Sequence, residues 1–149
     1  MFFKNRQTLE LLTQSGWTEN RVIDSKIIID FYYANGCPII EKAISFLKSF
    51  YGITIMFTNK RTQQLDNFSF NLIRAFEIEV MERIKEDYEP RIRRELCIIG
   101  TAYREHFVLL MDDLGVVYGG YDHFFVEIAK SGYEAIEAII NDSDFLEIK

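Results

Sequence analysis

The chain has 149 residues, of which 48% are hydrophobic and 15% aromatic, and its formal net charge at pH 7 is −6. A chain of this length is most simply one domain over residues 1–149, and it can bury about 70% of the surface that its unfolded form exposes. The acidic balance disfavours a domain that binds nucleic-acid phosphates, so we expect no nucleic-acid partner.

The aromatic content points to a surface that binds other proteins. Eight tyrosines and thirteen phenylalanines are more rings than the core of one such domain must contain. Some rings are therefore expected at the surface, where exposed Tyr and Phe are typical of protein–protein interfaces.

Three features bear on the cellular compartment. No run of eighteen apolar residues is present, so we expect neither a membrane span nor a membrane partner. The opening MFFKNRQT lacks the basic, apolar and small-residue order of a signal peptide. Cys37 and Cys97 occur in unrelated sequence contexts, which favours free buried thiols over a disulfide. Together these features predict a cytoplasmic protein.

The N-terminal third predicts helices with clear ends. A leucine-rich helix is expected to end near Gly16, with Trp17 folding back onto the core. Asp24 is a good N-cap for a second helix, which Gly36 closes. Pro38 is expected in the first turn of a third helix.

The middle of the chain predicts one long amphipathic helix. Apolar residues recur there every four positions, at Phe76, Val80, Ile84, Tyr88, Ile92 and Leu96. Pro90 lacks an amide proton and clashes one turn back, so a kink or break is expected near Glu89. Arginines and carboxylates interleave along this stretch, as on a solvated, ion-paired face.

The stretch from Val108 to Asp122, VLLMDDLGVVYGGYD, is the most informative part of the chain. Its four leading apolar residues predict a strand that is covered on both faces. Asp112 and Gly115 occupy the first and fourth positions of an expected type I turn, and Gly115 would take a positive φ. Residues 116–118 are rich in β-favouring side chains and predict the returning strand.

The remaining elements are a third strand and a closing helix. Gly119 and Gly120 are expected to form a sharp turn, because glycine reaches dihedrals closed to other residues. Residues 124–128 then read as a strand. Ser131 and Glu134 form a capping box that opens the last helix. Helices first, then a largely antiparallel sheet and a closing helix, make the fold class α+β.

Charge is unevenly distributed along the chain. Residues 112–149 contain nine Asp or Glu and two Lys, a net of −7, whereas residues 1–111 have a net of +1. This acidic end serves solubility alone, or it steers the protein toward a basic partner such as a nuclease domain. The sequence leaves both interpretations open.

Catalysis and metal binding are the less favoured interpretations of the polar residues. Asp112, Asp113, Asp122 and His123 could bind a cation, but the usual role of Asp in turns explains two of them without a metal. No nucleophile elbow lies beside His106 or His123, so a hydrolase that uses His123 with Asp122 is a weak alternative. We expect no enzyme activity, no cofactor and no metal.

A series of short patterns runs in order through the chain from about Leu9 to Ile140. In the first half it comprises Gly16-Trp17, Arg21, Asp24, Gly36-Cys37-Pro38, Ala43, Phe46-Leu47, Gly52, Phe68 and Phe70. In the second half it comprises Leu96-Cys97, Ile99-Gly100, the run from Val108 to Asp112, Gly115, the run from Val117 to Asp122 and the run from Glu134 to Ala138. This series resembles the SUKH superfamily of bacterial immunity proteins, and most closely its third family.

The resemblance implies both a fold and a role. The fold is a single SUKH-like domain with N-terminal helices packed on a mainly antiparallel sheet and a C-terminal helix. The role is that of an immunity protein, or antitoxin, which binds a cognate toxin domain of a polymorphic toxin system and blocks its active site. A non-catalytic scaffold or regulatory module of the same fold is the alternative.

If the chain binds a toxin, a few aromatic or charged anchors should dominate the binding energy. The candidate contact residues are Asp112, Asp113, Tyr118, Tyr121, Asp122, His123 and Phe125. Tyr118 suits a core strand equally well, and Phe125 could be covered by the long helix. An exposed edge strand would also allow a homodimer.

Overall fold

The computed structural model describes residues 3–149, so Met1 and Phe2 of the segment assessed for a signal peptide lie outside the described residues. The helices are α1 (Arg6–Gln14), α2 (Ser25–Ala34), α3 (Glu41–Phe50), α4 (Leu72–Ile78), α5 (Met81–Arg83), α6 (Glu89–Ile92) and α7 (Gly132–Ile140), with a π-helical segment, Ile84–Tyr88, between α5 and α6. The strands are β1 (Thr54–Thr58), β2 (Leu65–Ser69), β3 (Leu96–Ala102), β4 (Phe107–Asp112), β5 (Val117–Tyr121), β6 (Phe124–Ala129) and β7 (Leu146–Glu147).

The strands form one sheet whose order follows the chain, β1-β2-β3-β4-β5-β6-β7, and each neighbouring pair is antiparallel. Every residue of β3 and β4 is buried. Because successive side chains of a strand point to opposite faces, the centre of the sheet is covered on both sides. The predicted α+β fold class, with a largely antiparallel sheet, is confirmed.

The π segment covers one face of the sheet. Gly120 and Phe125 are cross-strand partners and therefore share this face. Phe125 stacks on Tyr88 of the π segment with ring centres 4.4 Å apart. Tyr32 of α2 adds a buried anchor, since its hydroxyl donates to the Ile98 carbonyl of β3 at 2.6 Å.

An aromatic cluster covers the opposite face beneath α1 and α3. Phe68 of β2 lies 5.9 Å from Phe70, which contacts Phe46 of α3 with ring centres 5.0 Å apart. Phe46 stacks on Phe50 at 4.7 Å, and Trp17 stacks on Phe50 at 5.3 Å. Trp17 is 2% exposed, which confirms that it folds back onto the core after α1.

The predicted helix ends depend on local hydrogen bonds and are found where expected. Asp24 caps α2 by accepting from the Lys26 amide at 3.0 Å. Ser131 caps α7 by accepting from the Glu134 amide at 3.2 Å. Gly16, just after α1, takes φ +94°, which glycine adopts without steric cost.

The predicted helix start at Pro38 is wrong. Helix α3 begins at Glu41, and Ile40 at its N-cap position is extended, with φ −102° and ψ 118°. Cys37 and Ile40 are both buried, so the chain runs extended across the core before the helix begins. Packing thus overrides the preference of proline for a first helical turn.

The single long helix predicted for the middle of the chain is also wrong. The chain is extended at Glu79 and Val80, and Leu96 belongs to β3. No break occurs at Glu89; instead the π segment precedes Pro90, and α6 continues to Ile92. A wider π turn is one way to accommodate a proline, which lacks the amide proton of a regular helical turn.

The sharp turn predicted at Gly119 and Gly120 is wrong as well. Both glycines lie inside β5 and pair with β4 and β6. A Cβ on Gly119 would lie 2.9 Å from the Phe107 ring, and one on Gly120 would lie 2.6 Å from the Tyr88 hydroxyl. The two residues are therefore glycine because side chains pack over the strand there, and not because the backbone turns.

Cys37 and Cys97 are free and buried, which confirms that prediction. Although the two residues are far apart in the sequence, their thiols are adjacent in the structure. Burial raises the pKa of Cys97 well above its ordinary value, and the adjacent thiol of Cys37 raises it further. Helices within residues 3–149 are all too short or too polar to cross a bilayer.

Candidate functional site

The β4–β5 turn is built around the buried carboxylate of Asp112, which is 1% exposed. Its Oδ1 accepts from the amides of Leu114 at 2.9 Å and Val116 at 3.1 Å, and its Oδ2 accepts from the Tyr118 hydroxyl at 2.8 Å. Gly115 takes φ +90° and donates its amide to the Asp112 carbonyl at 3.1 Å. Asp112 therefore serves the fold as the centre of the turn.

Tyr118 and Phe125 are buried beside this turn, at 5% and 1% exposure. Their rings stack 5.3 Å apart, and burial, together with the hydrogen bond to Asp112, raises the pKa of Tyr118. A side chain without exposed surface cannot contact a partner unless the strand moves. Asp112, Tyr118 and Phe125 are thus structural in this conformation, as the packing alternative for Tyr118 and Phe125 anticipated.

Asp113, on the same turn, is exposed over 57% of its side chain. Both of its carboxylate oxygens accept from Nη1 of Arg94, at 2.9 and 3.1 Å. The hydrogen bond to Asp113 raises the pKa of Arg94. Arg94 therefore already neutralises one of the two carboxylates at this turn. An exposed ion pair of this kind contributes little to stability.

The β5–β6 turn is held through its backbone. Asp122 takes φ +48°, and its carbonyl accepts from the Tyr88 hydroxyl at 2.7 Å and from Nη1 of Arg83 at 2.5 Å. Arg83 is itself fixed by Glu79 through bonds of 2.7 and 2.8 Å. The Asp122 side chain is exposed, so this turn presents its carboxylate to solvent.

His123 next to it contacts Asp87, not Asp122. Its Nδ1 lies 2.6 Å from Oδ2 of Asp87, and the His123 side chain is 90% exposed. Asp87 is 15% exposed and also pairs with Arg91. Burial opposes ionisation of Asp87, but the hydrogen bonds from His123 and Arg91 outweigh it and lower the pKa of Asp87. His123 therefore belongs to a network of charged side chains on the surface of the π segment. It does not pair with Asp122, as the hydrolase interpretation requires.

The structure separates the candidate residues into two groups at opposite ends of β5. The turn with Asp113 precedes the strand, and Asp122 and His123 follow it. A five-residue strand spans about 17 Å. One side chain of a partner therefore cannot contact both turns.

A cavity of about 580 Å³ opens at the Asp122 end of the sheet. Six aromatic side chains line this cavity, which we call the aromatic basin. They are Tyr103, His106, Phe107, Tyr121, Phe124 and Phe145. Tyr121 is central, with ring centres 4.2 Å from His106, 5.3 Å from Phe107 and 5.4 Å from Phe124. Of the residues proposed from the sequence, Tyr121 is the one that this cavity contains.

The β3–β4 loop forms one wall of the basin and has an unusual backbone. Tyr103, Arg104 and Glu105 take consecutive left-handed φ values of +54°, +55° and +68°. Left-handed backbone costs a residue with a Cβ about 1–2 kcal/mol. Arg74 holds the loop by a two-point ion pair with Glu105, Nε to Oε2 at 2.5 Å and Nη2 to Oε1 at 3.0 Å. Such strain, when held in place by surrounding contacts, is characteristic of functional segments.

Carboxylates surround the basin. Asp66 and Glu147 line it, and Asp142 pairs with Arg61 of the wall at 2.8 Å. Asp66 accepts hydrogen bonds from Asn59 and from the Asn67 amide, both neutral donors. Among the lining residues, two carboxylates against one guanidinium leave the basin with a net negative charge.

Tyr103 carries a hydroxyl that is buried and has no hydrogen-bond partner within residues 3–149. Burial raises the pKa of this tyrosine, so its hydroxyl is protonated at neutral pH. An unsatisfied buried hydroxyl costs stability, about 1–3 kcal/mol. The basin wall therefore contains a polar group whose hydrogen-bonding capacity the fold does not use.

Sequence reasoning missed five of the six basin rings. The six rings come from the β3–β4 loop, three strands and the C-terminal segment, so no local pattern joins them. The one available signal was hairpin register, since Phe107, Tyr121 and Phe124 fall on the same face once the strands are paired. Across the described part of the chain, no cluster of three His, Cys, Asp or Glu residues is arranged to hold a metal ion.

The sequence model of the family described as SUKH-3 immunity protein matches residues 4–142. That match includes the helices, β1 to β6 and most of the basin. No curated protein and no solved structure matches the chain.

Proposed function

Since the chain belongs to the SUKH-3 immunity protein family, we propose that it neutralises a cognate toxin domain by binding it and covering its active site. Immunity by occlusion needs a stable, shape-matched surface and no chemistry of its own. A complex of standard size would bury about 1,600 Å² in total, with most of its binding energy in a few anchors.

The Asp122 end of the sheet is the surface that we propose contacts the toxin domain. There the exposed side chains of Asp122 and His123 follow Tyr121 of the aromatic basin along the chain, and His123 contacts Asp87 of the π segment. Rings ordered by their neighbours lose little side-chain entropy on binding, and carboxylates at the rim favour a basic partner. We therefore propose Tyr121, Asp122 and His123 as contact residues, and we place Asp113 outside the centre of the interface.

We further propose that the toxin domain is a nuclease. A nuclease must bind phosphates and so has a basic substrate face, which an acidic protein can cover. Asp122, Asp142 and Glu147 of the acidic segment 112–149, whose net charge is −7, lie at or beside the Asp122 end of the sheet. Charge complementarity of this kind raises association rates and disfavours wrong partners.

The direct test is a rescue experiment with the toxin domain encoded beside this gene. Co-expression should restore growth, and the two proteins should co-purify in a stable stoichiometric complex in which the toxin no longer degrades nucleic acid. A complex in which the toxin stays active would contradict occlusion. Absence of any complex or rescue would contradict the immunity role for that toxin and favour the scaffold alternative.

Two further proposals concern the state of the protein in the cell. We keep the cytoplasmic location and the single domain over residues 1–149 as predictions. A homodimer could form by pairing of β1, an edge strand whose Met56 is 44% exposed. Light scattering of the purified protein across a concentration series would measure its mass, and a monomer at all concentrations would contradict the dimer.

A further inference from the structure

We propose that the aromatic basin binds an arginine side chain of the toxin domain. This inference deepens the proposed function and rests on it, because it names the chemical group that enters the basin. It is drawn from three properties of the cavity, which are its size, its lining and its charge.

The cavity size and lining suit a long, flat cation. Its volume of about 580 Å³ exceeds that of one side chain, so an arginine and the backbone that carries it can enter together. A guanidinium binds favourably over the face of an aromatic ring within about 6 Å of its centre. Tyr121, Phe107 and Phe124 supply adjacent rings with centres 5.3 to 6.0 Å apart.

The chain already uses this type of contact on the other face of the sheet. The guanidinium of Arg83 lies 4.7 Å from the centre of the Tyr88 ring, and that of Arg91 lies 5.8 Å from it. Both arginines are also paired with carboxylates of the same helical region. A ring with a carboxylate beside it is therefore the environment in which this fold places its own guanidinium groups.

The charge of the basin favours a cation over an anion or a neutral group. Asp66 and Glu147 line the cavity, and Asp142 neutralises Arg61. Asp66 is bonded to neutral donors, so its negative charge stays available to an incoming cation. A guanidinium has five N–H donors, and it can contact a carboxylate and a second acceptor at once.

Tyr103 carries an unused second acceptor in the cavity wall. Its hydroxyl has no partner in the described chain, and the cavity is the open volume beside its ring. This oxygen has almost no exposed surface, so a donor bound in the basin pairs with it once the Tyr103 side chain has moved toward the cavity. The left-handed backbone of residues 103–105, which carries this ring, is tied to α4 by the Arg74–Glu105 ion pair.

The first experiment uses a small probe and needs no toxin. N-acetyl-arginine methylamide is titrated into the protein while the aromatic ring signals are followed by NMR. We expect saturable shifts of the basin rings at millimolar concentrations, and about tenfold weaker binding of the uncharged citrulline analogue. Equal affinity for the two probes, or shifts outside the basin only, would overturn the proposal.

The second experiment uses the whole toxin complex and three variants. Tyr103→Phe removes the unpaired hydroxyl, Tyr121→Leu replaces a ring by an aliphatic side chain, and Glu147→Gln removes one charge. Each should weaken toxin binding about tenfold or more. Tyr103→Phe should leave the thermal midpoint unchanged or raise it, because the hydroxyl makes no bond in the free protein.

Matched controls separate the basin from general effects. Tyr33→Phe makes the same change at a tyrosine of α2 that is 83% exposed, and Glu134→Gln makes the same charge change on α7. Neither should change affinity by more than about twofold. If the toxin binds all three basin variants as tightly as the natural chain, the arginine site is wrong and the immunity role stands. If no toxin binds at all, the immunity role fails, and the probe titration still decides the site.

Discussion

Strand β5 has an acidic turn at each end, and the two turns use their carboxylates in opposite ways. Before the strand, Asp112 is buried and its carboxylate accepts three hydrogen bonds. After the strand, Asp122 is exposed, and Tyr88 and Arg83 hold its carbonyl instead. Where a carboxylate organises the turn, its hydrogen-bonding capacity is used within the protein. Where the backbone is held by other residues, the side chain remains available to a partner.

The largest expected effect is on stability, at the first turn. Asp112→Ala removes the two oxygens that accept three hydrogen bonds and leaves the Tyr118 hydroxyl buried without a partner, so we expect a loss of about 3 kcal/mol in the free energy of unfolding. Urea denaturation measures it. Asp113→Ala, on the same turn, is the matched control and should cost less than about 0.5 kcal/mol. Similar losses for the two variants would remove the distinction between a buried and an exposed turn carboxylate.

A second test concerns the glycines between the turns. Gly120→Ala would place a Cβ 2.6 Å from the Tyr88 hydroxyl, which holds the Asp122 carbonyl, so a loss of about 1–3 kcal/mol is expected. The Asp122 end should also become more mobile, which hydrogen exchange of its amides would measure. A variant as stable as the natural chain would contradict the packing explanation for this glycine.

A third test concerns how acidic pH changes the stability of the protein through Asp87, which lies in the network beneath the second turn. The pKa of Asp87 is lowered in the folded state, so its ionisation stabilises the fold above the unfolded value of about 3.9. This contribution is lost as pH falls through the folded pKa. Asp87→Asn should therefore show a smaller loss of stability than the natural chain between about pH 5 and pH 2. Parallel pH profiles for the two proteins would show that Asp87 does not contribute.

The smallest expected effect is kinetic. Asp122→Lys should slow association with a basic toxin several-fold at low salt, and Asp113→Lys should slow it less, because Arg94 already neutralises Asp113. Stopped-flow mixing at two salt concentrations measures both rates. Thermal midpoints within about 2 °C of the natural protein would exclude folding as the cause. Equal slowing by the two variants would indicate steering by overall charge.

These comparisons also show where sequence reasoning succeeds. The caps at Asp24 and Ser131 and the turn from Asp112 to Gly115 were predictable because each rests on hydrogen bonds within a few residues. The family match over residues 4–142 agrees with the resemblance that the ordered patterns carried. Local chemistry and the order of motifs along the chain are properties of the sequence itself.

The failures share one cause, which is that packing between distant elements decided the outcome. The four-residue apolar spacing that predicted one long helix extends as far as Leu96, which lies in β3. A buried strand needs apolar residues as much as a helix does, so this spacing did not distinguish the two. Gly119 and Gly120 were assigned to a turn, although the rings that exclude a Cβ there come from β4 and the π segment. Such rings are neighbours in space only.

The sequence by itself determined the α+β class, the caps, the first turn and the family, since these depend on interactions within a few residues or on the order of motifs. Only the tertiary structure decided which acidic residues are buried, and only it assembled the aromatic basin from a loop, three strands and the C-terminal segment. The physical reason is that burial and cavity shape depend on antiparallel pairing and helix packing, which join residues far apart in the chain.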